Sequence, residues 1–397
     1  MKSGRTVYLF VNHYPYSTQE NFLDDELPIL AKNFNKIVIV PMCGGGTRRE
    51  VPSNCYVIPP LDLTLNRFHY IWKGLFSFKS FSLLLKDFFR GRVAFSRIRL
   101  HSWISSSLQY NNFLKNKPLN DVLSQIREND IIYSYWGTDL IKVALINKNC
   151  KHVVSRFHGA WDLWEESYGG YFPLRKDVLK RLEKAIFISK KGEDYFKSKY
   201  PNCDTVYYPL GTKDYGQPTV KDKQQVCNIV SCSTVYPLKR VPLIFKSLNE
   251  SGFIRIHWTH FGGGPTFESL KRLVEEEKKE HLEVDLRGQV DHDEVIDYYK
   301  HNKVHAFINL SESEGVPVSI MEAMSFDIPI IATNVGSTSE EVTSQVGILV
   351  SPNPLPCEVS MALAQAIKSF YSPRAFWEKH YNAGINYEKF AEMLANL

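Results

Sequence analysis

Two glutamates in one short segment offer the clearest chemistry in this 397-residue sequence. Glu314 and Glu322 flank a Gly-x-Pro turn and the predicted start of a helix, and an apolar strand precedes them. A strand, a short loop and a helix start place backbone N–H groups and the positive end of a helix against an anion. Carboxylates on either side would bind hydroxyl groups next to that anion. Phosphate with flanking hydroxyls is the chemistry of a sugar nucleotide.

The elements that must position these residues follow from an alternation of short apolar runs with longer amphipathic segments. This alternation predicts an α/β protein with parallel sheets covered by helices on both faces, arranged as two Rossmann-like domains that face a cleft. A polar, turn-rich stretch within 211–225 is the predicted linker. The predicted strands are 7–11, 37–40, 131–134, 152–155, 185–188, 229–231, 254–257, 284–286, 306–310 and 328–332; the predicted helices include 22–33, 177–184, 241–249, 266–279 and 294–302.

Length and composition favour a soluble globular protein of two domains. With 44% hydrophobic and 23% charged residues, the chain is close to the average composition, and its net charge of +5 is only mildly basic. Seven scattered cysteines without a C-x-x-C pair argue against a zinc site or a disulfide framework, and they fit a reducing cytoplasm. The first apolar run, 7–11, is too short for a signal peptide, and no stretch approaches the ~20 apolar residues of a membrane-spanning helix. Nucleic acid is not an expected partner.

The segment 66–103 differs from the rest because aromatic side chains alternate with basic ones and Asp87 is its only acid. Helices of this kind lie well on an anionic bilayer surface. Alternatively, the segment is an insertion whose aromatic residues pack on the first domain while its bases face solvent. Both interpretations stay open at this point.

The glutamate segment resembles the signature of retaining glycosyltransferases of family 4, which have the two-domain GT-B fold. Weaker pieces occur in the matching order along nearly the whole chain and resemble bacterial members that build surface polysaccharides such as lipopolysaccharide or capsule. The matching stretches are 14–23, 155–159, 231–241, 260–265, 314–336 and 386–390. The resemblance implies an N-terminal acceptor-binding domain over 1–212, a donor domain over 213–375, and a C-terminal helix, 376–397, that packs back on the first domain.

In the donor domain, the resemblance implies that Glu314 binds hydroxyls of the donor sugar and Glu322 binds the ribose. Lys239 would neutralise the donor phosphate as a point charge. Many family members carry an arginine about five residues before this lysine, where this chain has Thr234. Either the hydroxyls of Ser233 and Thr234 donate instead, or Arg240 replaces the arginine, or phosphate binding is weaker. The remaining implied donor-binding residues are Gly263, Gln289, Val290, Gly315, Val316, Val318 and Ser319.

In the first domain, the resemblance implies that His158 lies near the transferred sugar and the acceptor, with Arg156 and Asp162 as secondary candidates. Tyr135 and Trp136 either stack on an acceptor sugar or belong to the core. The loop after the first strand would approach the reaction centre, although Ser17 and Gln19 replace glycines that family members usually carry. Its candidate residues are Ser17, Thr18 and Gln19.

Asp291-His292-Asp293 superficially matches an Asp-x-Asp metal motif, but it directly precedes a predicted helix, so Asp291 or Asp293 is better interpreted as the helix N-cap. No metal and no cofactor are expected if Lys239 and a helix start carry the charge of the leaving group. The expected reaction moves a sugar with retention from a nucleoside diphosphate sugar to a saccharide acceptor, which we expect to be lipid-linked.

The expected location of this reaction is the cytoplasm or the inner face of the plasma membrane. The alternatives are a non-catalytic subunit of the same fold that binds a nucleotide or a glycan, and a sugar-nucleotide 2-epimerase. The absent arginine at Thr234 favours the first alternative, whereas the Glu314–Glu322 segment argues against the second.

Overall fold

The computed structural model describes residues 3–16, 20–61, 78–159, 162–216, 226–252 and 255–397. The chain divides into two units. Unit 1 comprises Met1–Tyr208 together with Tyr387–Leu397, and unit 2 comprises Pro209–Asn386. The sequence predicts boundaries after residues 212 and 375, whereas this division falls after residues 208 and 386. Residues 217–225 of the predicted linker lie outside the described residues.

Unit 1 is built on a seven-stranded sheet whose neighbouring strands all pair in parallel. Across the sheet the order is β3-β2-β1-β4-β5-β6-β7. Because the strand order reverses between β1 and β4, a ligand crevice is expected outside the carboxyl ends of these two strands. The strands are β1 (Ser3–Val11), β2 (Phe34–Pro41), β3 (Cys55–Val57), β4 (Ile131–Ser134), β5 (His152–Phe157), β6 (Lys184–Phe187) and β7 (Thr205–Tyr207).

Three of the described helices of unit 1 begin at side-chain caps. The side chains of Ser96, Asn116 and Ser189 each accept a hydrogen bond from a first-turn amide, which satisfies a donor that has no intrahelical partner. The predicted helix 177–184 is shorter than expected and ends at Leu179, because β6 already begins at Lys184. The helices are α1 (Leu23–Asn33), α2 (Phe78–Arg90), α3 (Arg97–Lys115), α4 (Lys117–Gln125), α5 (Val143–Ile146), α6 (Arg175–Leu179) and α7 (Lys190–Lys199).

Unit 2 contains a six-stranded parallel sheet in the order β10-β9-β8-β11-β12-β13, so its strand order reverses between β8 and β11. Trp258 of β9 is fully buried among apolar side chains from the sheet and its covering helices. The strands are β8 (Cys227–Cys232), β9 (Ile256–Phe261), β10 (Leu282–Gly288), β11 (Ala306–Asn309), β12 (Ile330–Thr333) and β13 (Gly347–Val350). The helices are α8 (Val241–Asn249), α9 (Phe267–Glu277), α10 (His292–His301), α11 (Val318–Ser325), α12 (Thr338–Glu341), α13 (Pro356–Lys368) and α14 (Pro373–His380).

The last helix, α15 (Ala383–Ala395), leads the chain back to unit 1. Phe390, Ala391 and Leu394 are fully buried in the core that β1 and α1 also line. This packing agrees with the C-terminal helix that the resemblance implies.

The aromatic and basic segment forms α2 and the beginning of α3, and its residues 66–77 lie outside the described part of the chain. Phe81, Phe89 and Phe95 are 58%, 70% and 88% exposed, so they do not pack on the domain beneath. Asp87 points inward, where it accepts hydrogen bonds from Tyr171 and the Leu174 amide. Among the described residues, no helix is both long and apolar enough to cross a bilayer.

Candidate active site

Lys239 and Glu314 form an ion pair in unit 2. Lys239 ends a 3-10 turn that follows β8, and Glu314 lies in the loop that follows β11. Because the strand order reverses between β8 and β11, both loops border the expected crevice. Lys239 Nζ lies 2.6 Å from Glu314 Oε1, which also accepts a 3.2 Å hydrogen bond from Asn309 Nδ2. The structure therefore joins the predicted phosphate-binding cation to the predicted sugar-binding carboxylate.

A helix start follows this ion pair in the chain. Gly315 and Val316 are half-buried in the loop, Pro317 is the N-cap, and α11 begins at Val318. First-turn amides have no acceptor within a helix, and here they belong to Val318 and Ser319. The segment therefore has the geometry that favours binding of an anion.

Gly336 lies directly against the backbone of Glu314. Its φ is +52°, and a Cβ at this position would lie 1.8 Å from the Glu314 carbonyl oxygen. Only glycine fits such an approach, so the loop after β12 helps to fix the position of Glu314.

Glu322 has a partner that the sequence did not indicate. This carboxylate, on α11, is 8% exposed, and its Oε1 lies 2.8 Å from Nε2 of His292. His292 is the first residue of α10, whose N-cap is Asp291. The predicted cap position is thus correct, although the Asp291 side chain makes no capping hydrogen bond. A ribose bound by Glu322 would compete with, or share, the imidazole.

The glycine turn after β9 supports the other donor-binding candidates. Gly262 has a φ of +132°, and a Cβ there would lie 2.0 Å from the Ser233 carbonyl oxygen. A Cβ on Gly263 would lie 3.2 Å from the Gln289 amide nitrogen. The structure thus places Ser233 beside the turn and Gln289 against it. Thr234 and Gln289 are exposed, and Val290 is half-buried.

Arg240 is engaged in hydrogen bonds within its own unit. Its guanidinium donates to the carbonyl oxygens of Leu310, Ser311 and Pro352 at 2.7 to 2.9 Å, and to Asn353 Oδ1 at 3.0 Å. These bonds tie the loops after β11 and β13 together. If Arg240 replaces the missing arginine as a phosphate ligand, it must give up some of these hydrogen bonds.

In unit 1, His158 follows β5 and stands over a buried carboxylate. Both oxygens of Asp162 accept from the His158 amide at 2.9 and 3.0 Å, and Oδ1 accepts from the Gly159 amide at 2.8 Å. The His158 side chain is 10% exposed, its Nδ1 lies 3.4 Å from Asp162 Oδ2, and its ring lies 4.3 Å from that of Trp136. Among the described residues, Nε2 has no hydrogen-bond partner. Asp162 therefore positions His158 and is itself fully buried.

Glu20 fills the crevice of unit 1, a role that was not predicted for this residue of the loop after β1. Its buried carboxylate accepts from three successive amides after β1, those of Asn12, His13 and Tyr14, at 2.7 to 3.0 Å. The same carboxylate accepts from the indole nitrogen of Trp136, after β4. Successive amides of this kind form an anion-binding concavity, and here the chain fills it with its own side chain.

The remaining acceptor-side candidates are structural or lie outside the described residues. Arg156 is fully buried, forms an ion pair with Glu26, and lies 4.3 Å from the ring centre of Phe390. Burial is the largest single influence and lowers the pKa of Arg156, but Glu26 together with nearby tyrosines outweighs it and raises the pKa above its usual value. Tyr135 is also fully buried, which favours the core interpretation for this residue. Residues 17–19 lie outside the described part of the chain.

Comparison with known proteins places these units in a wider context. Residues 217–383 match the family model of glycosyl transferases group 1. The chain resembles the GtfA subunit of a peptide N-acetylglucosaminyltransferase from Streptococcus agalactiae, with 23% identity over 64% of this chain and 53% of that protein. The O-antigen biosynthesis glycosyltransferase WbnH of Escherichia coli is 27% identical over 45% of this chain and 48% of its own length. The chain therefore spans about half the length of these curated relatives.

Solved structures agree over nearly the full length of both chains. Sucrose-phosphate synthase from Thermosynechococcus elongatus has a TM-score of 0.70 with 14% identity, covering 99% of this chain and 98% of its own. HepE of Anabaena has a TM-score of 0.65 with 12% identity, covering 99% and 100%. The fold is GT-B, as the sequence predicts.

In this GT-B fold, two buried groups near the Lys239–Glu314 pair escaped the sequence analysis. Glu341 on α12 is fully buried, and neither carboxyl oxygen has a hydrogen-bond partner among the described residues. Burial, followed by the nearby charge of Glu314, raises the pKa of Glu341 well above its usual value. Burial likewise raises the pKa of the Cys232 thiol to about 12, with Glu322 adding to the effect. Both groups are therefore neutral beside the charged pair.

The sequence contains little that would indicate the buried positions of Glu341 and Glu20. Glu341 follows a second glutamate in a short polar run, and such a run usually marks a solvated loop. Glu20 precedes a helix and resembles an ordinary first-turn acid. Only the tertiary structure shows that both carboxyl groups are buried.

Proposed function

We propose that the protein is a retaining glycosyltransferase that moves a sugar from a nucleoside diphosphate sugar to a saccharide acceptor in the synthesis of a cell-surface polysaccharide. The observation that carries this proposal is the Lys239–Glu314 ion pair beside the start of α11, at the carboxyl ends of β8 and β11. It lies in the part of the chain that matches the glycosyl transferases group 1 model.

The residues of unit 2 divide the work on the donor. Lys239 and the amides of Val318 and Ser319 stabilise the charge that develops on the departing diphosphate. Glu314 accepts hydrogen bonds from the donor sugar, and Glu322 accepts them from the ribose. Charged acceptors hold hydroxyl groups about twice as strongly as neutral ones. In the unliganded protein Lys239 and Glu314 compensate each other, so neither buried charge is left alone before the donor binds.

The donor is proposed to be a UDP-sugar. HepE and the pneumococcal GtfA are described in complex with UDP and a sugar. We expect UDP and one UDP-sugar to raise the melting temperature of the protein, since a ligand that binds only the folded state stabilises it. A panel that includes GDP, ADP and their sugars serves as the control. No stabilisation by any member would overturn the proposed donor.

Two rival functions are separated by one reaction. A 2-epimerase converts the donor sugar without an acceptor, and a non-catalytic subunit releases no diphosphate at all. We expect nucleoside diphosphate release that depends on acceptor, that is lost in Glu314→Gln, and that persists in EDTA because no metal is required. Conversion of donor alone, or unchanged activity in Glu314→Gln, would contradict the proposal.

The acceptor is proposed to be lipid-linked and to be met at an anionic membrane surface. On α2 and its following turn, Phe81, Phe89 and Phe95 are exposed, and so are Lys79 and Lys86. Exposed aromatic and basic side chains on one segment are the combination that binds the boundary of an anionic bilayer. Similarity to WbnH, an O-antigen biosynthesis glycosyltransferase, supports the same proposal. It would place the protein at the cytoplasmic face of the plasma membrane.

A further inference from the structure

A cavity of about 210 Å³ lies in unit 1, between α3, the 3-10 turn Asp139–Lys142 and the start of α6. None of the residues that line it was a candidate in the sequence analysis. The lining includes His101, Ser102, Ser105, Lys142, Tyr168, Phe172 and Arg175. The volume is below the roughly 300 Å³ of a pocket for a drug-sized molecule, so it suits one charged group and part of its carrier.

Arg175 is a buried cation without an acidic partner in the described part of the chain. It is 5% exposed, and its guanidinium carbon lies 4.2 Å from the ring centre of Phe172. Nη2 donates a 2.7 Å hydrogen bond to the Asp162 carbonyl oxygen, whereas Nη1 has no partner among the described residues. Burial lowers the pKa of Arg175. The nearby charges of Glu165 and Asp162 offset this effect only in part. Because a buried charge that is incompletely compensated is costly, Arg175 is a candidate for a functional residue.

The other charges of the cavity cancel each other. Lys142 pairs with Asp139 and also donates to the Ser106 hydroxyl. Arg175, which forms no such ion pair in the described part of the chain, is then the cation left to a ligand beside the serine hydroxyls of α3. The cavity therefore offers a cation and neutral donors to a ligand, which is the donor set for an anion.

A neighbouring cavity of about 330 Å³ extends the positive surroundings. Arg175 and Phe172 border both cavities. The second cavity is also lined by Arg90, Arg99, Lys176 and Lys199, against the acids Asp87 and Glu165. Arg99 donates to the carbonyl oxygens of Gly169 and Gly91, so its charge faces backbone dipoles and not a carboxylate. Arg90 and Lys199 are paired with Asp177 and Glu166, so Arg99 is the basic group whose charge adds to that of Arg175.

We propose that this cavity binds a phosphate group carried by the acceptor substrate, with Arg175 as its cationic ligand. That the ligand is the acceptor rests on the proposed glycosyl transfer, whereas the binding of an anion at Arg175 does not depend on that proposal. Arg175 holds the backbone of Asp162, and Asp162 positions His158. A phosphate bound at Arg175 is thereby connected through Asp162 to His158, which the resemblance places near the transferred sugar. A planar guanidinium group matches the arrangement of the oxygens of a phosphate. Tyr168 and Phe172 line the same cavity as Arg175.

The test measures the melting temperature of the whole protein at saturating UDP, so that the proposed donor site is occupied. The probes are inorganic phosphate, glucose 1-phosphate and farnesyl diphosphate, with chloride at equal ionic strength as the control. The variants are Arg175→Met, which removes the charge and keeps the length of the side chain, and Arg175→Lys. Lys180→Met is the matched control, because it makes the same charge change on an exposed side chain that lines neither cavity.

We expect phosphate to stabilise the wild type and Lys180→Met, and to bind Arg175→Met at least about tenfold more weakly, as the loss of a charge-assisted hydrogen bond requires. Partial recovery is expected in Arg175→Lys. Tighter binding of farnesyl diphosphate would identify a lipid diphosphate as the source, and tighter binding of glucose 1-phosphate a sugar phosphate. Equal phosphate binding by Arg175→Met and wild type, or no stabilisation by any probe, would overturn the proposal.

A further variant covers the case in which Arg175→Met does not fold. Ser105 is exposed on α3 and lines the cavity, so Ser105→Phe would fill the cavity without touching the core. We expect it to lose phosphate binding and to keep UDP binding. If phosphate stabilises the protein through Arg175 while no nucleotide sugar does, the anion site stands and the proposed function fails. If a nucleotide sugar stabilises the protein while phosphate does not act through Arg175, the proposed function stands and the anion site fails.

Discussion

Replacing Glu341 by glutamine is the perturbation with the clearest physical consequence. The wild-type carboxyl group is fully buried without a hydrogen-bond partner among the described residues. Burial is the main cause that raises its pKa, and the nearby charges of Glu314 and Glu340 add to it. In the unfolded chain the same group titrates near its ordinary value of 4.5. The folded protein therefore holds this proton at pH values at which the unfolded chain has lost it.

Proton linkage gives the sign and the slope of the change in the free energy of unfolding with pH. Below pH 4.5 both states carry the proton, and Glu341 contributes no pH dependence. Between pH 4.5 and the raised pKa of the folded state, the folded protein binds about one proton more, so stability falls by about 1.4 kcal/mol for each pH unit. Glutamine has the same shape and no proton to lose. The gain of Glu341→Gln over wild type should therefore grow at that slope as pH rises.

Scanning calorimetry at pH 5, 6, 7 and 8 measures this difference on the transition of unit 2. Because a protein of two units need not unfold in one step, the two transitions are assigned first with UDP, which is proposed to stabilise unit 2 alone. Glu340→Gln is the matched control, since it makes the same substitution on a neighbouring side chain that is only half-buried. Parallel pH profiles for wild type and Glu341→Gln would refute the reasoning, because they would show that Glu341 is ionised in the folded state.

Three further predictions concern the sites. Glu314→Gln should lower kcat/KM by roughly 100-fold or more while the nucleoside diphosphate still binds, because it removes a charged acceptor for sugar hydroxyls and leaves Lys239 in place; steady-state kinetics and a UDP titration check this, and an unchanged rate would contradict the assignment. Glu20→Gln should destabilise unit 1 by about 1–3 kcal/mol, since a neutral amide satisfies fewer of the three backbone donors. Urea unfolding measures this loss, with Glu50→Gln, a change at an exposed glutamate, as the control; equal midpoints for the two variants would show that Glu20 does not hold this loop. Phe89→Ser should weaken co-sedimentation with vesicles that contain anionic lipid and leave catalysis on a water-soluble acceptor unchanged; equal binding by the variant would exclude this face as the contact.

The sequence predicted the parallel sheets because their central strands are nearly continuous apolar runs. The strands that it missed, Cys55–Val57, Thr205–Tyr207 and Gly347–Val350, all lie at sheet edges. An edge strand has a neighbour on one side only and needs fewer apolar residues, so its pattern fades into that of a loop. The helix predicted over 177–184 was too long: the helix ends at Leu179, and strand β6 begins at Lys184.

The sequence predicted more of the donor-binding candidates in unit 2 than of the side-chain contacts in unit 1. The Lys239–Glu314 pair could be anticipated because a strand, a turn and a helix start encode it locally. Arg156 is fully buried in an ion pair with Glu26, which lies 130 positions away in the sequence. Partners that depend on tertiary structure, such as His292 for Glu322, leave no mark on local spacing.

The two sheets carry the same crevice and use it differently. In unit 2 the crevice between β8 and β11 is spanned by a cation and a carboxylate that can each turn to a ligand. In unit 1 the corresponding place between β1 and β4 is filled by Glu20, which binds three amides and the Trp136 indole. A second anion is excluded from those amides by the charge of Glu20 itself. If unit 1 binds a phosphate-bearing acceptor, the phosphate must therefore bind elsewhere in the unit, and Arg175 is the buried cation in its described part that lacks an acidic partner.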